Sequence, residues 1–246
     1  MNYNYLTYYD SFHHCKVITD LITRIHLKKI NTIAIDGPVA SGKSTVGEII
    51  ANKLSFQYLD TGVMYRAITW LVQELDINVH DEDQLRECIV NNPITLINQF
   101  GTKINVNGRD LESELRSPGI DQAVSDISKL AVVRTMMVHQ QQAIASKSDG
   151  IVMVGRDIGT VVLENADLKI FLQASVEARA KRRLADRKSL GLPTNLTDMV
   201  YEITQRDFID ENRDISPLKP AIDAVIIDTD NLDKHEVVDY IINICE

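Results

Sequence analysis

Three observations predict a three-layer α/β fold built on a central parallel sheet of five strands. Short apolar runs recur between helix-period segments along the chain. Those runs are rich in β-branched residues, as strands buried on both faces are. A glycine-rich turn, Gly37–Thr45 (GPVASGKST), stands between the first run and the first helical segment. In such a fold the sheet lies between two helical layers, and ligands gather at the carboxyl ends of the strands.

The first strand is Thr32–Asp36 (TIAID), and the helix after the turn is Lys43–Leu54, with Val46, Ile49, Ile50 and Leu54 at helical period. Phe56–Asp60 (FQYLD) reads as the second strand, followed by helices Val63–Leu75 and Asp81–Asn91. Ile94–Leu111 breaks the rhythm: it alternates apolar and polar residues, with turn signals at Phe100–Gly101 and Asn107–Gly108. That pattern predicts a small antiparallel hairpin or meander, inserted on the sheet and not an independent domain. Ser117–Pro118 marks a helix start, and Leu130–Ser146 is helical. The remaining strands are Ile151–Val154, Lys169–Leu172 and Ala224–Asp228, interleaved with helices Val176–Arg187, Asp198–Asn212 and Lys234–Cys245.

At 246 residues the chain can bury one sizeable core, or one core plus a small inserted unit. A net charge of −9 lacks the electrostatic footprint of a nucleic-acid coat, so no nucleic-acid polymer is expected as a partner. Cys15, Cys88 and Cys245 lie far apart with no histidine at metal-ligand spacing, which suits a reducing compartment and a cytoplasmic location. Residues 1–30 form an N-terminal extension with Val17, Ile18, Leu21, Ile22 and Ile25 at helical spacing, interrupted by Asp20 and Arg24. Neither a signal peptide nor a membrane span fits. An amphipathic helix packed on the domain, or a mis-assigned translation start, accounts for it, and a monomer is expected.

The turn Gly37–Thr45 has the spacing Gly-x-x-x-x-Gly-Lys-Ser. A strand ending in such a turn and entering a helix aims backbone N–H groups, and the positive end of the helix dipole, at one spot, where polyphosphate binds. Lys43 is placed to reach the β- and γ-phosphates, and the Ser44 hydroxyl to ligate Mg²⁺. Asp60-Thr61-Gly62 closes the second strand, with Tyr65-Arg66 on the next helix, where an acceptor would meet the nucleotide. Gly155-Arg156-Asp157 follows the third strand. Arg206, Asp210 and Arg213 share one helix face by spacing. Arg179, Arg182, Arg183 and Arg187 make a basic helical cluster suited to a mobile flap over phosphates. Each arginine group alone reads as an ordinary solvated or salt-bridged face; together they define a second anion site beside the first.

In this order the motifs resemble the bacterial-type cytidylate kinase family. The resemblance is carried by GPVASGKST, DTGVMYR (Asp60–Arg66), Val133-Arg134, GRDIGTVV (Gly155–Val162), ARAKRR (Ala178–Arg183), Arg206-Asp207, DENR (Asp210–Arg213) and Ser216-Pro217-Leu218. It runs from Thr32 to about Ile244. It implies a P-loop kinase fold over residues 31–246, with an acceptor-binding insert at about 61–147 and a helical lid at about 176–196. ATP with Mg²⁺ is the implied donor, held by Gly37, Pro38, Val39, Ala40, Ser41, Gly42, Lys43, Ser44, Thr45 and Arg179, with Ser44 on the metal. CMP or dCMP is the implied acceptor, contacted by Thr61, Tyr65, Arg66, Ser125, Arg134, Arg156, Asp157, Arg206, Asp210 and Arg213. Of these, Arg66, Arg156 and Arg213 would grip the phosphate, and Ser125, Arg134 and Asp157 would read the base. Tyr65, Arg206 and Asp210 would hold the sugar. Lys43, Arg156, Arg182 and Arg183 would stabilise the transferring phosphoryl group. The chain departs from the family where Gln141-Gln142 stands in place of Gln-Arg, and where Thr61 replaces a Ser of some members. Two other readings stay open: another nucleoside monophosphate or small-molecule kinase on this fold, and a nucleotide-switch or ATPase module.

Overall fold

Strand β1 (Thr32–Asp36) lies at the centre of a five-stranded parallel sheet. Its neighbours are β6 (Ile151–Gly155) and β7 (Leu168–Gln173), flanked by β2 (Gln57–Asp60) and β8 (Val225–Asp228). The computed structural model describes residues 30–96 (the backbone alone at Leu96), 104–111 and 113–245. The N-terminal extension over residues 1–29, with Cys15, and the Phe100–Gly101 turn signal lie outside the described residues.

Alternation along the strands divides the core in two. Ile33 and Ile35 of β1, with Val152 and Val154 of β6, face helices α1 (Lys43–Leu54) and α8 (Lys234–Cys245), where Val46, Ile50, Val237, Val238 and Ile241 meet them. Ala34, Leu59 and Met153 face the opposite way, onto α2 (Thr61–Glu74), α3 (Glu82–Asn91) and α5 (Ala131–Ala145). Every residue of β6 is buried, as a strand covered on both faces requires. This is the three-layer arrangement expected.

The insert consists of β3 (Ile94–Leu96), β4 (Ile104–Val106) and β5 (Arg109–Asp110), all antiparallel. Asn107 (φ 53) and Gly108 (φ 83) both take left-handed backbone, the geometry that a tight two-residue hairpin needs. Ile104 and Val106 are buried in the same cluster as Ile68 and Leu71 of α2, so the insert shares the core. A helix starts at Pro118 as expected, but it is a separate element, α4 (Pro118–Ser128), ahead of α5. Helices α6 (Val176–Ser189) and α7 (Leu196–Asn212) pack on each other around Ala180, Met199 and Ile203.

Parallel register aligns the strand ends. Asp36 stands opposite Gly155 on one side and Phe171 on the other, and Asp60 stands opposite Val154. The loops that follow therefore open along one edge of the sheet. A single π-helical turn, Ile158–Val162, then carries the chain away from β6, its bonds running from Val162 N to Asp157 O (3.2 Å) and Leu163 N to Ile158 O (2.7 Å).

Candidate active site

The loop after β1 leaves the sheet through Gly37 (φ 151), where a Cβ would lie 2.1 Å from the Leu172 carbonyl oxygen of β7. Only a residue without a Cβ can pass so close to that backbone. Ala40 (φ 58) and Gly42 (φ 95) both take left-handed backbone in the turn that leads into α1. The Lys43 ammonium donates to the Pro38 carbonyl (2.6 Å) and to Ser41 Oγ (3.2 Å), folding the side chain over its own loop. Burial, then the nearby Arg156, pushes Lys43 well below the usual lysine range, while Asp60 and Asp36 pull it back.

Ser44 Oγ donates to Asp60 Oδ2 at 2.6 Å, and Asp60 Oδ1 accepts from Gly62 N at 2.9 Å to cap α2. A hydroxyl and a carboxylate oxygen thus meet at the mouth of the phosphate loop. They are the hard oxygen donors that suit Mg²⁺, an ion that otherwise takes its ligands from phosphates and water. The Thr61 hydroxyl donates to the Val154 carbonyl at 3.0 Å, tying α2 to the end of β6. Gly155 makes that approach possible, since a Cβ there would lie 2.7 Å from Thr61 Oγ1.

Asp36 turns away from the cleft and accepts from the backbone N–H groups of Ile158 (2.8 Å) and Gly159 (2.7 Å). It thereby anchors the π-helical turn directly after Arg156-Asp157. Burial pushes this carboxyl from 3.8 up to about 6, against the pull of its two backbone donors.

Beyond the loop the arginines and acids interlock. Arg134 pairs with Asp157, donates to the Ser128 carbonyl at 3.1 Å, and stacks its guanidinium 5.3 Å from the Tyr65 ring centre. Arg156 Nε donates to Asp210 Oδ2 at 2.9 Å. Arg213, just past the end of α7, lies 3.6 Å from Asp210 and 3.8 Å from Asp157, and its Nε donates to the Ser216 carbonyl at 2.6 Å. Burial would raise Asp210, but Arg156, Arg206 and Arg213 hold it below the usual carboxylate range. Arg206 has the opposite problem: burial and then Arg156 push its guanidinium down to about 10. Arg206 Nε and Arg213 Nη2 are buried with no hydrogen-bond partner among the described residues. Arg213 Nη2 keeps only its long 3.8 Å ion-pair contact with Asp157. Buried guanidinium N–H groups without a hydrogen-bond acceptor are what an anionic ligand would satisfy.

These side chains line one cavity of about 590 Å³ between the phosphate loop and α7. It gathers Val39 to Thr45 from the loop, Thr61, Tyr65 and Arg66 from α2, and Arg134, Arg156, Asp157, Arg206, Asp210 and Arg213. Arg182 and Arg183 line it from α6, and Arg182 also donates to Thr229 Oγ1 (3.0 Å). Gly37, Pro38, Ser125 and Arg179 are not among the lining residues. Ser125 lies one turn before Ser128, which does line the cavity, and its carbonyl accepts from Ser128 Oγ at 3.2 Å. The Arg179 guanidinium is engaged with Asp207 (3.0 and 2.6 Å) and the Val39 carbonyl (3.2 Å), fastening α6 to α7 and to the phosphate loop. The sequence assigns no site role to Asp36, Asp121 or Asp207. Asp207 stands within the motif Arg206-Asp207 and Asp36 directly precedes Gly37–Thr45, which is the signal available for those two.

A strand–phosphate-loop–helix unit facing a second, arginine-lined anion site defines a phosphotransferase of the P-loop kinase class. A family model described as cytidylate kinase matches residues 33–246. The cytidylate kinase of Geobacillus sp. (strain WCH70) is 49% identical over 213 residues, covering 86% of this chain and 95% of that protein. That of Clostridium botulinum (strain Okra / Type B1) is 47% identical over 213 residues, covering 87% and 96%. That of Bacillus cereus (strain ATCC 10987 / NRS 248) is 45% identical over 214 residues, covering 87% and 95%. The chain belongs to the cytidylate kinase family.

Proposed function

We propose that the enzyme transfers the γ-phosphoryl group of ATP to CMP and dCMP, giving the diphosphates, as a cytoplasmic monomer. The observation that carries this reading is the shared cavity in which the phosphate loop faces Arg66, Arg156, Arg206 and Arg213. Among the described residues no helix is long and apolar enough to cross a membrane.

The acceptor is a phosphate monoester, already ionised near neutral pH, so no general base is assigned. The protein must align two anions that repel each other and place positive charge around a loose transition state. Lys43 would leave the Pro38 carbonyl for the transferring phosphate, and Arg182 and Arg183 would approach it from the lid over residues 176–196. Arg66, Arg156 and Arg213 would hold the acceptor phosphate within the region 61–147 and its neighbours. Mg²⁺ bound with the nucleotide supplies further neutralisation of phosphate charge, and Ser44, with Asp60 beside it, would hold the ion.

The Arg134–Asp157 pair supports cytosine as the base. Its carboxylate accepts from an exocyclic amine while the guanidinium donates to ring acceptors. Uracil presents the reverse order, and would leave a buried polar group unpaired. Tyr65, buried beside this pair with its phenol pushed up to about 12 by burial, stays a neutral hydrogen-bonding group toward the sugar, with Arg206 and Asp210.

A coupled assay with CMP, dCMP, UMP and AMP tests the proposal. Turnover restricted to the cytidine nucleotides is expected. Equal turnover of AMP or UMP would favour another kinase on this fold, and ATP hydrolysis indifferent to CMP would favour a switch or ATPase module.

A further inference from the structure

We propose that Asp121 is a positioning residue of the transfer reaction, coupling the lid to the acceptor site. Asp121 lies in the first turn of α4, where a carboxylate is favoured by the helix dipole. Its two oxygens are divided between two elements. Oδ1 pairs with Arg66 Nη2 of α2 at 2.5 Å, and Oδ2 accepts from Arg183 Nη2 of α6 at 2.6 Å. Arg66 is fixed further by donating Nη1 to the Leu115 carbonyl at 3.1 Å.

Arg66 and Arg183 both line the cavity, whereas Asp121 is not among the lining residues. The carboxylate therefore stands behind the two guanidiniums, which keep further N–H groups for phosphate. A phosphate arriving in the cavity has no need to displace it. The bridge joins an acceptor-side arginine to a lid arginine through one rigid group, so the orientation of each depends on the other. Burial works against the Asp121 charge, but Arg66 and then Arg183 hold its carboxyl below the usual range, so the bridge is ionised at neutral pH. The consequence is that a lid residue helps to set acceptor affinity, and an acceptor-side acid helps to set the rate of transfer.

The inference rests on reading Arg66 as an acceptor-phosphate ligand, and the experiment separates the two. Steady-state kinetics would be measured for Asp121→Asn, Arg183→Gln, their double variant, Asp121→Glu and Arg66→Gln, varying CMP and ATP separately. For Asp121→Asn, a roughly fivefold rise in the CMP KM and a roughly tenfold fall in kcat are expected, with partial recovery in Asp121→Glu. Arg183→Gln should also raise the CMP KM, and the double variant should be no worse than its poorer parent, because residues acting as a unit are non-additive. A CMP KM and kcat within twofold of the parent enzyme in Asp121→Asn would overturn the proposal. So would an Arg183→Gln enzyme altered only toward ATP, an outcome readable even if Asp121→Asn does not fold. An unchanged CMP KM in Arg66→Gln would overturn the acceptor reading itself.

Discussion

At the scale of single residues the cleft separates charge that holds the fold from charge offered to substrate. Asp157 is engaged by Arg134 yet faces the cavity, which suits base reading. Asp157→Ala should raise the CMP KM at least tenfold and narrow the preference for CMP over UMP, since a lost charged hydrogen bond costs about 1.5–3 kcal/mol. Kinetics with both nucleotides would check this, and undiminished selectivity would remove Asp157 from base reading. Lys43 is the counterpart proposed on the donor side. Lys43→Ala should lower kcat by roughly two to three orders of magnitude while CMP affinity, measured by calorimetry, changes little. Retained turnover would show that the lysine does not meet the transition state.

At the scale of elements the Asp36 bond to the π-helical turn links the phosphate-loop strand to the loop carrying Arg156 and Asp157. Its folded pKa stands above the ordinary value, so its ionisation opposes folding. The associated stability is complete below about pH 4 and is lost as pH rises through about 6. Asp210 and Asp121, held low, run the other way: their stabilisation is lost on acidification. Comparing the parent with Asp36→Asn isolates the first effect. Between pH 6 and 4 the parent should gain stability relative to the variant, by about 2 kcal/mol, in urea titrations. Parallel curves would refute the linkage.

That latch also marks where legibility in the sequence ended. The strands, the phosphate loop, the Asn107–Gly108 turn and the helical spacing of Arg206 and Asp210 were legible because period and glycine placement are local. The π-helical turn was not, because its carboxylate clasp comes from Asp36, which only the sheet register brings near. Arg179 reads as one more lid arginine by spacing. Only tertiary packing shows its guanidinium bound to Asp207 and Val39.

At the scale of the whole molecule, two core clusters on opposite faces of one sheet leave the ligand edge free of packing duty. Substrate binding should therefore add to global stability. CMP at about 100 times its Kd should contribute about 2.7 kcal/mol and raise Tm by roughly 5–10 °C, while UMP at the same concentration should do less. Calorimetric scans with each nucleotide would measure the difference, and equal shifts would count against cytosine selection.

The partnerless Nε of Arg206 has a meaning at this scale too. A chain with a net charge of −9 has acids to spare, yet it buries this guanidinium beside Arg156 and, among the described residues, gives that nitrogen no hydrogen-bond acceptor. The fold thus keeps a buried donor that the carboxylates around it, Asp210 included, do not satisfy by a hydrogen bond. A phosphate oxygen that accepts from it would find the donor already desolvated and held in place, so the folding of the chain, and not the act of binding, bears that part of the cost of recognition.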